Sequence, residues 1–138
     1  YAADRAQHVE RLIRPALKRG DWVLSDRFSG STIAYQGDGR GLNLQTILDL
    51  ERIATAGVHP DLTFWLDLPL HESLKRRGAR SEDRIEAEGE AFLARVSAGF
   101  QRLSAERDWT PVAADQSADQ VQQLIRRCLR DWLAKASQ

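Results

Sequence analysis

Short apolar runs set between stretches of helical period constrain this chain more than anything else in it. Trp22-Val23-Leu24-Ser25-Asp26 has the length and character of a buried strand, and Leu62-Thr63-Phe64-Trp65-Leu66-Asp67 reads as a second. Pro111-Val112-Ala113-Ala114-Asp115 is a weaker third. Around them lie amphipathic helices. Ala6, Val9, Ile13, Ala16 and Leu17 repeat at helical spacing over 2–19, where Pro15 bends or interrupts the helix and Gly20 stops it. Asn43 caps a helix over 44–55 that Gly57 ends. Pro69 suits the first turn of a helix over 69–77. A long helix over 84–107 turns Ile85, Phe92, Val96, Phe100 and Leu103 inward. Ser117 caps the last one, whose stripe is Val121, Leu124, Ile125, Cys128, Leu129 and Trp132. This order is a βαβ pattern with a parallel sheet, so the expected fold is α/β, one domain over residues 1–138. Three strands are few for such a sheet. The chain also contains no Met and opens inside helical periodicity without a cap. We therefore expect residues before Tyr1, and a sheet incomplete at its N-terminal side.

Composition narrows the function. Charged residues make up 29% and hydrophobic residues 42%, a soluble globular balance. Net charge is zero, so no global positive field draws nucleic acid. No apolar run approaches the length of a membrane span, and no signal-peptide pattern is visible. Cys128 is the one cysteine, which rules out an internal disulfide and fits a reducing cytoplasm. It falls on an apolar helix face, where packing is the expected role. His8, His59 and His71 lack metal-ligand spacing and read as surface residues. The 138 residues hold no Gly-x-x-x-x-Gly-Lys-Ser/Thr and no Gly-x-Gly-x-x-Gly.

In an open parallel sheet, ligands bind beyond the C-terminal ends of the strands. Asp26 and Asp67 end strands there, and Arg27 follows Asp26. The carboxylate can hold a metal-bound water, and the guanidinium can fork two hydrogen bonds onto a phosphate; the same pair also suits a surface ion pair. A polar, Gly-rich stretch from Phe28 to Gly41 follows. Within it, Gln36 can pair with a base edge and Tyr35 can pack on a sugar. Residues 76–84 are too polar for a core, and Arg76, Arg77, Arg80 and Arg84 there suit a lid that closes on phosphates. The competing reading is a solvated face neutralised by Glu82, Asp83, Glu86 and Glu88.

Together these segments resemble the bacterial thymidylate kinases. The resemblance runs through Tyr1-Ala2-Ala3-Asp4-Arg5-Ala6-Gln7-His8 and Ile13-Arg14-Pro15-Ala16-Leu17. It continues through Gly20 to Phe28, Ser31-Thr32 to Gly37, Gly39-Arg40-Gly41, Pro60-Asp61-Leu62-Thr63, Leu66-Asp67 and Asp83-Arg84-Ile85-Glu86. It implies a parallel sheet of the P-loop-kinase type flanked by helices, and ATP-dependent phosphorylation of dTMP to dTDP in dTTP biosynthesis. The implied partners are dTMP and ATP with Mg2+, in a cytoplasmic homodimer that binds neither nucleic acid nor membrane. By position, Arg5 resembles the arginine that bonds the thymine edge, and Arg27 the one that grips the dTMP phosphate. Thr32 and Gln36 fall where the family contacts the base, and Tyr35 where a tyrosine packs near the deoxyribose and disfavours a 2′-hydroxyl. Asp26 falls near the magnesium and the acceptor phosphate, as an indirect metal contact. Arg80 matches the lid arginine that assists transfer, Arg76 the lid-base arginine that packs on adenine, and Arg84 belongs to the same lid. The loop around Ala114-Asp115-Gln116 falls near adenine. The departures from the family are the phosphate loop with its strand, the helix and strand that follow it, and the aromatic residue before Tyr1. Phe28 stands where Tyr or His is often seen. The alternative reading is an inactive nucleotide-binding or subunit-interaction remnant.

Overall fold

The computed structural model describes residues 1–77 and 89–136. The first helical stretch runs as α1 (Ala2–His8), a π-helical turn (Val9–Ile13) and α2 (Arg14–Lys18). Pro15 does not break it. Its ring has no N–H to donate, and the turn just before it widens so that the Arg14 N–H reaches the Val9 carbonyl, five residues back. Gly20, at φ +79°, ends the stretch in the left-handed conformation.

The polar, Gly-rich stretch after Phe28 is helical. It forms α3 (Ser29–Thr32) and a second π-helical segment (Ile33–Gly39), and its Ile33 and Ala34 are fully buried. It packs against α6 (Glu90–Glu106), and Ile33, Ala34, Ile47, Phe92, Leu93, Val96 and Leu103 form the core. The glycines make that contact. A Cβ on Gly39 would lie 2.6 Å from Phe92 Cε2 and 2.7 Å from Val96 Cγ2, and one on Gly99 would lie 2.5 Å from Asp38 Oδ2. These residues look like loop chemistry in sequence, yet they are small because two helices meet there.

Helix α4 (Leu44–Thr55) begins where Asn43 Oδ1 accepts the Thr46 N–H at 2.9 Å, and ends at Ala56 and Gly57, both in the left-handed region. Strand β1 (Phe64–Asp67) pairs in parallel with β2 (Thr110–Ala113), Phe64 opposite Thr110 and Asp67 opposite Ala113. Between them run α5 (Leu70–Arg77) and α6. Helix α7 (Ala118–Ala136) follows, with Ser117 and Gln120 capping one another. Its stripe from Val121 to Trp132, Cys128 included, is half-buried. His8, His59 and His71 are exposed. Among the described residues no helix is long and apolar enough to cross a membrane. The architecture is α/β, mostly helical, with a small parallel sheet.

Trp22–Asp26 does not form the expected strand. Residues 21–27 are irregular and exposed, Trp22 at 74% and Leu24 at 100%. A strand exists by its ladder bonds, and the two strands among the described residues pair with each other. Ile85 and residues 84–88 of the expected long helix lie outside the described residues.

Gly39→Ala should lower stability by about 1–3 kcal/mol, because the added methyl enters a filled core. Thermal unfolding measures this, and an unchanged Tm would show that α6 yields without cost.

Candidate functional site

The residues of interest converge on the segment 26–36. Arg5, half-buried on α1, donates from its guanidinium to Thr32 Oγ1 at 2.9 Å. The same guanidinium lies 4.9 Å above the centre of the Phe28 ring, a cation–π distance. Burial pushes the Arg5 guanidinium below its ordinary value, and the charges of Glu51 and Asp4 oppose that. It remains a cation at neutral pH.

A second pair forms beside the first. Arg27 takes a left-handed backbone, φ +67°, which costs a non-glycine residue about 1–2 kcal/mol. Ser25 holds the turn by donating its hydroxyl to the Arg27 carbonyl at 2.8 Å. The conformation sets the Arg27 guanidinium 5.6 Å from the centre of the Tyr35 ring. Tyr35 is itself fixed from the core side by Phe100, edge-on at 6.0 Å, and by Phe92 at 6.2 Å. Asp26 is exposed next to Arg27, and Gln36 is half-buried next to Tyr35. Sequence positions 5 and 32 are thus joined by a hydrogen bond, and 27 and 35 by a cation–aromatic contact, beside the start of one helical segment.

Sequence reasoning passed over the group beneath them. Glu51 of α4 is buried, and Arg107 forks onto it with NH1 to Oε1 at 3.0 Å and NH2 to Oε2 at 3.1 Å. Burial pushes the Glu51 carboxyl up, but the hydrogen bonds from Arg107 and Ser29 and the charges of Arg107 and His59 outweigh it, so it sits below its ordinary value. A signal was present: Glu51 falls four residues after Ile47, on the inward face of α4.

Arg76, near the end of α5, lies elsewhere. Its guanidinium donates to the Ala114 carbonyl at 2.8 Å, where Leu66, Arg76, Ala114, Gln116, Asp119 and Val121 line an open cleft of about 720 Å³. Arg80 and Arg84 lie outside the described residues. No cluster of three or more His, Cys, Asp or Glu side chains suited to a metal ion occurs among the described residues.

The sequence model of the family described as thymidylate kinase matches residues 1–125. A thymidylate kinase of Synechococcus sp. (strain WH7803) is 67% identical over 134 residues, which is 97% of this chain and 63% of that relative. Another from Synechococcus sp. (strain CC9605) is 64% identical over 134 residues, covering 97% and 64% of the two chains. One from Prochlorococcus marinus (strain MIT 9313) is 64% identical over 130 residues, covering 94% and 60%. The chain spans somewhat under two thirds of the length of these curated relatives.

The buried carboxylate makes stability depend on pH. A carboxyl held below its ordinary value of 4.5 stabilises the fold above that pH and loses this contribution as pH falls through its depressed folded value. Glu51→Gln leaves Arg107 without its counter-charge and should lower stability at pH 7 by about 2 kcal/mol. It should also flatten the decline below pH 4.5. Chemical denaturation across pH measures both; a variant with the parent's acid limb would assign that limb to other carboxylates.

Proposed function

The chain belongs to the thymidylate kinase family, and on that premise we propose that the whole protein transfers the γ-phosphate of ATP to dTMP, yielding dTDP for dTTP synthesis. The observation that carries the proposal is the meeting of Arg5 and Thr32, twenty-seven positions apart, at 2.9 Å beside the Arg27–Tyr35 pair. These are the residues to which the resemblance gives the acceptor nucleotide.

In this reading Arg5 holds the thymine edge, with Thr32 and Gln36 on the base. Tyr35, braced by Phe92 and Phe100, lies along the deoxyribose and leaves no room for a 2′-hydroxyl. Arg27 grips the dTMP phosphate. Its strained backbone aims a planar fork that suits two phosphate oxygens. The adenine of ATP packs on Arg76 beside the loop Ala114-Asp115-Gln116. Arg80 and Arg84, outside the described residues, supply positive charge in this reading, Arg80 offsetting charge on the transferring group and Arg84 assisting. The acceptor oxygen attacks phosphorus directly, with no covalent enzyme intermediate. The protein contributes position, excluded water and fixed positive charge.

The exposed carboxylate of Asp26 would hold a magnesium ion indirectly, through water, the ion being carried mostly by substrate phosphates. When bound it neutralises phosphate charge. The 138 residues contain no phosphate-cradling loop, so what they contribute to the proposal is the acceptor side, the adenine cleft and these arginines. We place the protein in the cytoplasm as a homodimer. Leu50 and Ile53, three residues apart on α4, are exposed apolar side chains that such a contact would cover.

The whole protein, incubated with ATP and dTMP, should form dTDP and ADP in equal amounts on a nucleotide-separating column. Arg27→Ala should lower kcat/KM for dTMP by about a hundredfold, since a charge-assisted fork is lost; unchanged kinetics would remove Arg27 from the phosphate site. Sedimentation equilibrium should find a dimer that Ile53→Asp weakens, whereas a monomeric parent would refute the assembly.

A further inference from the structure

The turn that presents Thr32 and Phe28 to Arg5 is held from below at two points. Ser29, its first residue, sets its hydroxyl beside the buried carboxylate of Glu51 and helps hold that carboxyl below its ordinary value. Gly30, its second, lies against the indole of Trp109, where a Cβ would come within 2.4 Å of the ring carbon Cη2. The two anchors are linked. Arg107, which forks onto Glu51, and Trp109 flank Asp108 in the tight turn after α6, where Asp108 takes φ +53° and the Trp109 N–H bonds the Ser104 carbonyl at 2.9 Å. The end of α6, the middle of α4 and the start of α3 therefore meet at one carboxylate, which lies next in line behind the two contacts that orient Arg5.

Stability alone does not account for such a group. A buried ion pair seldom adds net stability over well-packed apolar side chains of the same volume. An apolar residue at 51 would fill the space but could neither hold the Ser29 hydroxyl nor place a negative charge behind Arg5. We propose that Glu51 is a positioning residue for nucleotide recognition: through Ser29 it fixes the turn whose Thr32 hydroxyl and Phe28 ring aim the Arg5 guanidinium at the base. The proposal rests on the reading that Arg5 binds the base of dTMP. Glu51 touches no substrate, and its effect reaches the nucleotide through Arg5 and Thr32. The adenine side, built on Arg76 and the loop after β2, shares no residue with this chain of contacts.

The experiment compares Glu51→Gln, Ser29→Ala and their combination in the whole protein. Three quantities are read: KM for dTMP, KM for ATP, and the ¹⁵N–¹H resonance of the Arg5 side-chain Nε in ligand-free protein. Each single variant should raise KM for dTMP about tenfold while KM for ATP and kcat stay within about twofold. The double variant should be no worse than the weaker-binding single one, because both changes cut the same link. The Arg5 resonance should move in all three. Lower Tm values with KM for dTMP and the Arg5 resonance unmoved would make Glu51 a purely structural residue and overturn the proposal. Equal rises in both KM values would overturn it too, as general loosening. If the unsubstituted protein fails to turn over dTMP, the kinase reading fails. The Arg5 resonance then decides the positioning separately: a shift sustains it and no shift overturns it.

Discussion

Everything on the acceptor side hangs on how closely the helical segment 29–39 lies against α6. That approach is possible because Gly30, Gly39 and Gly99 offer no Cβ at the points where Trp109, Phe92, Val96 and Asp38 arrive. Close contact brings many weak dispersion contacts into range and lets Ile33 and Ala34 vanish from solvent. The same segment carries Thr32 and Gln36, both half-buried, and Tyr35, whose ring rests on Phe92 and Phe100 of α6. Packing thus determines what the segment can present, and the site inherits the rigidity of the core.

Polar bonds from α6 lock the register of that contact. Arg95 donates to the Gly39 carbonyl at 2.9 Å, and Arg102 joins Asp38 at 2.9 Å while also bonding Glu106. The Asp38 hydrogen bond outweighs partial burial and holds the Arg102 guanidinium above its ordinary value. Arg107 completes the row by reaching Glu51 on α4. Apolar packing alone would let the two helices slide by a turn, and Arg95 and Arg102, bonded to defined oxygens of the facing segment, remove that freedom. The arrangement resembles a set of fixed stops more than a source of net stability, since partly exposed ion pairs contribute little energy.

The sequence was most legible where local chemistry decides structure. Asn43 capping α4, Gly57 ending it, Ser117 capping α7 and the parallel pair at 64–67 and 110–113 all follow from short-range rules. It was least legible where a distant neighbour decides. Trp22–Asp26 has strand composition, but strands are made by partners, and the described residues give it none. Phe28–Gly41 reads only as polar and Gly-rich, and nothing local tells that Gly39 is there to admit α6. Pro15 was expected to disturb its helix and is absorbed by a widened turn. For the site, the resemblance marked Arg5, Arg27, Thr32 and Tyr35, and the structure brings them together in pairs. Spacing alone could not have done so, since 5 and 32 belong to different elements. Glu51 stayed hidden because a glutamate between Leu50 and Arg52 looks like solvated surface until Arg107 and Ser29 are seen around it.

The β1–β2 pair carries a consequence for the order in which the chain can assemble. Phe64 pairs with Thr110, forty-six positions later, with α5 and α6 between them. On a ribosome adding about 5–20 residues per second, β1 waits roughly 2–9 s for its partner to be made. During that interval its apolar side chains and unpaired backbone groups stay open to any extended segment nearby. Helices form far faster than this, so α4 can form early, while the sheet must come late. The acceptor-side cluster waits nearly as long, since the segment 29–39 packs on α6 and Gly30 on Trp109, one residue before β2 begins.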